Sequence, residues 1–128
     1  ENAEFAGICV ENGFTWHIDH FNSDVPYLME TAKGPLAIVP FTMEINDLPL
    51  YMRFGNPPEV YSGTLKRIVD NYASIGSPPA VIDITAHAHV FGRPFGAIEI
   101  KAAIDLVKEL DWVWMTTHEE LAGLVYPK

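Results

Sequence analysis

Between Asn56 and Pro79 the chain carries one apolar stripe at helical spacing, Tyr61, Leu65, Ile68, Tyr72 and Ile75. Asn56 followed by Pro57 supplies an N-cap and a proline at the first helical position, and Gly76 with Pro78-Pro79 stops the helix. Short apolar runs stand on either side, PLAIVPFT at 35–42 and AVIDITAH at 80–87. The first suits a strand covered on both faces, with Pro40 disturbing its end, and the second reads as the next strand. Strand, crossover helix and strand in that order point to a parallel sheet with helices on its faces.

The remaining segments extend the pattern. Residues 2–13, NAEFAGICVENG, read as a helix with Phe5, Ile8 and Cys9 on one face and Gly13 as its stop. FTWHID (14–19) reads as a strand, and residues 20–34 as a loop with one helical turn, because Asn22, Ser23, Asp24 and Pro26 carry turn chemistry. Residues 43–58 form a long irregular segment, a kind that in compact domains tends to be functional. AIEIKAAIDLVKEL (97–110) is a second strong helix burying Ile100, Ala103, Ile104 and Val107, and WVWMT (112–116) a last strand. Thr117 and Glu120 form a capping-box pattern opening a short helix, HEELAGLV. The expected order is α-β-β-α-β-α-β-α, with about four mostly parallel strands joined by helical crossovers. No internal repeat or linker interrupts it, so residues 1–128 are expected to form a single partial domain. Four strands leave two open edges, and the chain opens on Glu1; both features fit part of a barrel, a piece of something longer.

The 128 residues carry a formal charge of −9, and the eight Lys and Arg residues are scattered. Phosphate neutralisation needs clustered cations, so neither nucleic acid nor an anionic membrane surface is an expected partner. No apolar run reaches the length of a membrane span, and no signal peptide is visible; the location is left open, with the cytoplasm favoured. Cys9 is the only cysteine, which rules out an intrachain disulfide and a Cys-rich zinc site. It reads as a small buried hydrophobe.

VIDITAHAHVFGRP (81–94) carries the chemistry. In an extended run Ile82, Ile84, Ala86 and Ala88 point one way, and Asp83, Thr85, His87 and His89 the other. A buried polar row must be hydrogen-bonded or functional, and its histidines stand at the carboxyl end of the strand, where α/β folds place ligands. Two satisfied histidines at a strand end are the plain alternative. Asp19, His20, Asn22 and Asp24 follow the first strand, and Glu44, Asn46 and Asp47 the second. Each alone suits an Asx-turn or a solvated loop; together they put carboxylates around the sheet edge that carries His87. Carboxylate with imidazole is material for general acid–base hydrolysis. His-x-His with an acid is alternatively part of a divalent metal site, with only two ligands obvious. Arg93, between Gly92 and Pro94, either clamps an anionic substrate group or pins its loop on a backbone carbonyl. His17 and His118 have less claim. Trp112 and Trp114 read as core in preference to a carbohydrate platform.

ITAHAHVFGRP, a helix, then DWVWMTTHEELAGLV resemble the C-terminal end of polysaccharide deacetylase-like (NodB-homology) proteins, nearest to the branch holding the cofactor-independent allantoinases and peptidoglycan deacetylase-like proteins. ENGFTWHIDHFNSDVPY and IVPFTMEINDLPLY resemble upstream segments of the same family, so the resemblance covers nearly the whole chain and the later half of a family member. It implies a distorted (β/α) barrel. It implies that His87 matches a late-strand histidine serving as catalytic acid or oxyanion partner. His89 and Arg93 match adjoining pocket and turn positions, Asp47 and Glu44 the loop after the Pro-containing strand, and Asp19 and Asp24 the earlier polar loop. The family's early Asp-Asp motif, its His-x-x-x-His metal motif and its Arg-x-Pro segment would precede Glu1. The general base and metal triad are therefore expected outside this chain, with no cofactor held within it and a divalent metal in a complete member.

The chain is thus expected to be part of a hydrolase for non-peptide carbon–nitrogen bonds, acting on a sugar N-acetyl amide or a cyclic amide, and inactive or weak alone. Its expected partner is an N-terminal half-barrel or a second copy in a homo-oligomer, with a small-molecule or glycan substrate. A non-catalytic subunit completing a partner's site is the alternative class, and a truncated remnant a third.

Overall fold

A computed structural model gives the fold, and residues 3–126 are described. In chain order the elements are α1 (Ala3–Glu11), β1 (Trp16–His17), β2 (Tyr27–Thr31), β3 (Gly34–Ile38), a π-helical stretch (Leu48–Arg53), α2 (Val60–Asn71) running into a 3-10 turn (Tyr72–Ile75), α3 (Pro94–Lys108) and α4 (His118–Val125). They gather into two compact units, one of residues 3–41, 79–81 and 116–126, the other of Thr42–Pro78 and Ile82–Met115.

The first unit is built around β3. β1 pairs with it in parallel and β2 antiparallel, giving the order β1-β3-β2. Alternation along β3 sends Leu36 and Ile38 to Ala6, Cys9 and Val10 of α1, while Ala37 and Val39 meet Leu121, Ala122 and Val125 of α4. A strand buried on both faces has no polar side to show, which explains the unbroken apolar run. The α1 face is rotated from the expected one: Ala6 is buried, and Phe5 and Ile8 are about half exposed. β2 replaces the expected loop. Thr31 and Gly34 close a two-residue hairpin whose turn is held by the Thr31 hydroxyl, donating to the Gly34 carbonyl (2.7 Å) and accepting from Lys33 N (3.1 Å). Turn residues at 22–26 mark only the approach to this hairpin. Thr117 caps α4 with Glu120 in the full reciprocal box.

The second unit packs α2 against α3. Tyr61 and Leu65 of α2, Ala103 and Val107 of α3, and Ile45, Val90 and Phe91 from the connecting segments form its core. The helical stripe of α2 is buried as expected at Tyr61 and Leu65, while Ile75 is exposed. Asn56 does not cap the helix; its amide donates to the Leu50 carbonyl (2.9 Å), and Glu59 stands at the N-cap of α2. Tyr72 stacks on Trp112 with ring centroids 5.2 Å apart. Trp112 and Trp114 are 56% and 59% exposed, which overturns their reading as core. The expected strands at 80–87 and 112–116 form no ladder among the described residues; the first keeps one parallel bridge, Asn46 with Thr85. The α/β class holds, while the sheet of the described residues has three strands and mixed direction.

Candidate functional site

The site grows from that single bridge. Thr85 N donates to the Ile45 carbonyl (3.0 Å) and Asp47 N to the Thr85 carbonyl (3.4 Å), as in any parallel ladder. The next rung would join His87 N to the Asp47 carbonyl. At Asp47, however, the chain turns into the π-helical stretch, and the carboxylate of Asp47 takes the carbonyl's place. Its Oδ2 accepts from His87 N (2.8 Å) and from Phe91 N (3.1 Å). Its Oδ1 lies 2.6 Å from His87 Nδ1. Asp47 is fully buried, and these three donors supply the partners that a buried carboxylate requires.

A carboxylate accepts, so Nδ1 of His87 carries the proton in this pair and Nε2 is the nitrogen left for other work. The His87 side chain is 34% exposed. The ring of exposed His89 stands edge-on to it, centroids 5.8 Å apart. Upstream, Asp83 is buried and accepts from Thr42 N (3.0 Å), so the side chains of Asp83 and His87 and the backbone of Thr85 between them are all hydrogen-bonded. After His87 the chain reverses: Val90 N and Gly92 N both donate to the His87 carbonyl (2.9 and 3.1 Å). Glycine is needed at 92 because a Cβ there would collide with the Ala88 carbonyl, and at 96 because a Cβ would strike Phe91. These contacts account for the two glycines of the Gly-Arg-Pro-Phe-Gly run. Arg93 is exposed at the start of α3, where its carbonyl accepts from Gly96 N and Ala97 N (3.0 and 2.9 Å).

Of the residues expected at the site, the structure joins Asp47 with His87 and sets His89 beside them. Glu44 is exposed and bonds to neither. Asp19 and Asp24 are exposed members of the other unit, where the Asp24 carbonyl accepts from Val81 N (2.7 Å). That unit holds a feature with no sequence signal of its own: His17 and His20 lie edge-to-face at 5.5 Å, and His20 Nδ1 meets the Tyr27 hydroxyl (3.2 Å), which donates to Asn22 Oδ1 (3.0 Å). Burial, and then His20 beside it, lower the His17 pKa, with Asp19 opposing. The alternation of residues 14–19 puts His17 out of phase, and nothing local announces its ring contact with His20. Tyr61 has the sequence signature of a core residue alone, yet its hydroxyl donates to the Thr85 carbonyl (2.9 Å).

Among the described residues no three His, Cys, Asp or Glu side chains are arranged to hold a metal ion. No helix of the described residues is long and apolar enough to cross a membrane.

No family model matches the chain. A curated protein of Schizosaccharomyces pombe (strain 972 / ATCC 24843), described provisionally as a polysaccharide deacetylase, is 26% identical over 117 residues, covering 81% of this chain and 36% of that protein. Among solved structures, a probable polysaccharide deacetylase from Pseudomonas aeruginosa PAO1 superposes with a TM-score of 0.77 at 25% identity, over 91% of this chain and 40% of that one. Puue allantoinase gives 0.77 at 24% identity with the same coverages, and a Mycobacterium smegmatis protein, provisionally a polysaccharide deacetylase, 0.80 at 23% over 97% and 45%. The chain thus spans about two-fifths of the length of the relatives it matches, and its fold is that of part of a deacetylase-like (β/α) barrel, similar to polysaccharide deacetylases and to an allantoinase.

Proposed function

We propose that this chain carries the histidine side of an active site that hydrolyses a non-peptide carbon–nitrogen bond, in a sugar N-acetyl group or a cyclic amide such as allantoin. The observation that carries the reading is the buried Asp47 carboxylate on Nδ1 of the partly exposed His87 ring. A ring held at Nδ1 presents Nε2 in one direction and in one tautomer. Protonated at Nε2, His87 would give its proton to the nitrogen as the carbon–nitrogen bond of the tetrahedral intermediate breaks, leaving neutral imidazole. The residue that activates water would lie with the remainder of the barrel, outside these 128 residues. A divalent metal, where a complete protein of this kind uses one, would draw on that remainder too. His89 and Arg93 would line the substrate beside His87, with Glu44 of the same unit as a further candidate.

Turnover of an N-acetylated oligosaccharide and of allantoin is measured with the complete barrel that contains these 128 residues, native mass spectrometry beside a denatured run showing whether it is one polypeptide or several. His87→Ala should lower kcat by about a hundredfold or more, the usual worth of a general acid. Unchanged kcat with weakened ligand binding would refute the catalytic role and leave a binding module.

A further inference from the structure

Tyr61 stands in the core of the second unit, 1% exposed, on the first turn of α2. It touches both flanks of the Asp47–His87 pair. Its hydroxyl donates to the Thr85 carbonyl at 2.9 Å, two residues before His87. Its ring packs on Phe91, centroids 5.1 Å apart, and Phe91 N donates to Asp47 Oδ2. The only other hydrogen bond to the Thr85 carbonyl among the described residues comes from Asp47 N and is long, 3.4 Å. Without the hydroxyl, that carbonyl would be held by the weaker of its two bonds, and the ladder end that sets the height of His87 against Asp47 would loosen.

We propose that Tyr61 is a positioning residue for the Asp47–His87 pair, its hydroxyl fixing the backbone before His87 and its ring the backbone that closes over Asp47. Burial, and then the charge of Asp47, raise the tyrosine pKa far above neutrality, so the hydroxyl keeps its proton and remains a donor. The inference rests on the reading of that pair as the site, and its test is independent of turnover.

The probe is the His87 Nδ1 proton in nuclear magnetic resonance spectra of the 128-residue chain. Held on a carboxylate, it should give a downfield, slowly exchanging signal, and Asp47→Asn should abolish it. Tyr61→Phe should leave the fold intact by circular dichroism and speed exchange of that proton about tenfold, the scale of one lost hydrogen bond. Leu65→Ala, which damages the same core without touching Thr85, should lower Tm at least as far and leave the exchange rate unchanged. Equal rates in Tyr61→Phe and the parent, or equal acceleration in Leu65→Ala, would overturn the proposal. Should Tyr61→Phe not fold, hydrogen exchange of the unaltered chain decides: the Tyr61 hydroxyl and the His87 ring proton should open together, and independent opening overturns it. Absence of the ring signal from the parent would refute the pair itself, a failure distinct from that of the Tyr61 clamp. Activity of His87→Ala, measured separately, decides the proposed reaction.

Discussion

Replacing Asp47 by Asn tests the Asp47–His87 pair directly, because the two side chains have the same shape and differ in what they accept. In the parent the carboxylate receives three bonds, from His87 N, Phe91 N and His87 Nδ1. The amide keeps one acceptor oxygen. Its best arrangement leaves that oxygen on the two backbone donors and turns the NH2 toward Nδ1, which must then give up its proton and become an acceptor. The histidine changes tautomer, and Nε2 becomes the protonated nitrogen. Each of the two backbone bonds falls from charge-assisted to neutral, a loss of about 1 kcal/mol apiece, so the expected destabilisation is about 2 kcal/mol. Asp47→Ala removes every acceptor and leaves His87 N and Phe91 N with no carboxylate, at about 1–3 kcal/mol for each donor left unsatisfied. Urea denaturation followed through a core signal of the second unit gives the energies, and long-range 15N–1H spectra of the imidazole report the tautomer. An Asp47→Asn protein with unchanged stability and unchanged His87 tautomer would show that the carboxylate does not hold this ring.

Three other substitutions have defined outcomes. Gly92→Ala should destabilise the second unit by about 1–3 kcal/mol, since its Cβ meets the Ala88 backbone and not a side chain that can move; equal urea midpoints would contradict this. Thr117→Ala removes half of the α4 capping box and should lower stability by about 1 kcal/mol, and Thr117→Ser should restore most of it. For His17 the folded pKa lies below its unfolded value, so the unfolded chain binds more protons in between, and stability should rise with pH through the window just below about 6.5. Urea midpoints at acid and neutral pH measure that slope, and His17→Gln should flatten it.

How much is readable in advance depends on the range of the interaction concerned. The α2 stripe from Tyr61 to Ile68, the Thr117–Glu120 box and the apolar run of β3 are contacts of a chain with its near neighbours or with a uniform apolar surface, and their periodicity declares them. The hairpin at Thr31–Gly34 has neither an Asn-Gly turn nor a clean alternation in YLMET, so its strand has the sequence signature of a loop. Hydrophobicity alone would send the tryptophans at 112 and 114 inward, but exposure depends on which surfaces meet. His87 and Asp47 are each legible as candidates from their positions after apolar runs, as are His89 and Arg93. Their roles in a reaction are legible only through resemblance.

The sequence by itself determined the alternation of helical stripes and short apolar runs, the helix stops and caps, and the placing of a histidine pair before a glycine-bounded turn. These depend on backbone geometry and burial within a dozen residues. Only the tertiary structure decided that, of the two histidines and several carboxylates, His87 and Asp47 are the ones that meet, forty positions apart. That choice depends on where a parallel ladder ends. At Asp47 the backbone leaves the ladder, a buried donor still needs an acceptor, and the side chain of the departing residue is the group within reach.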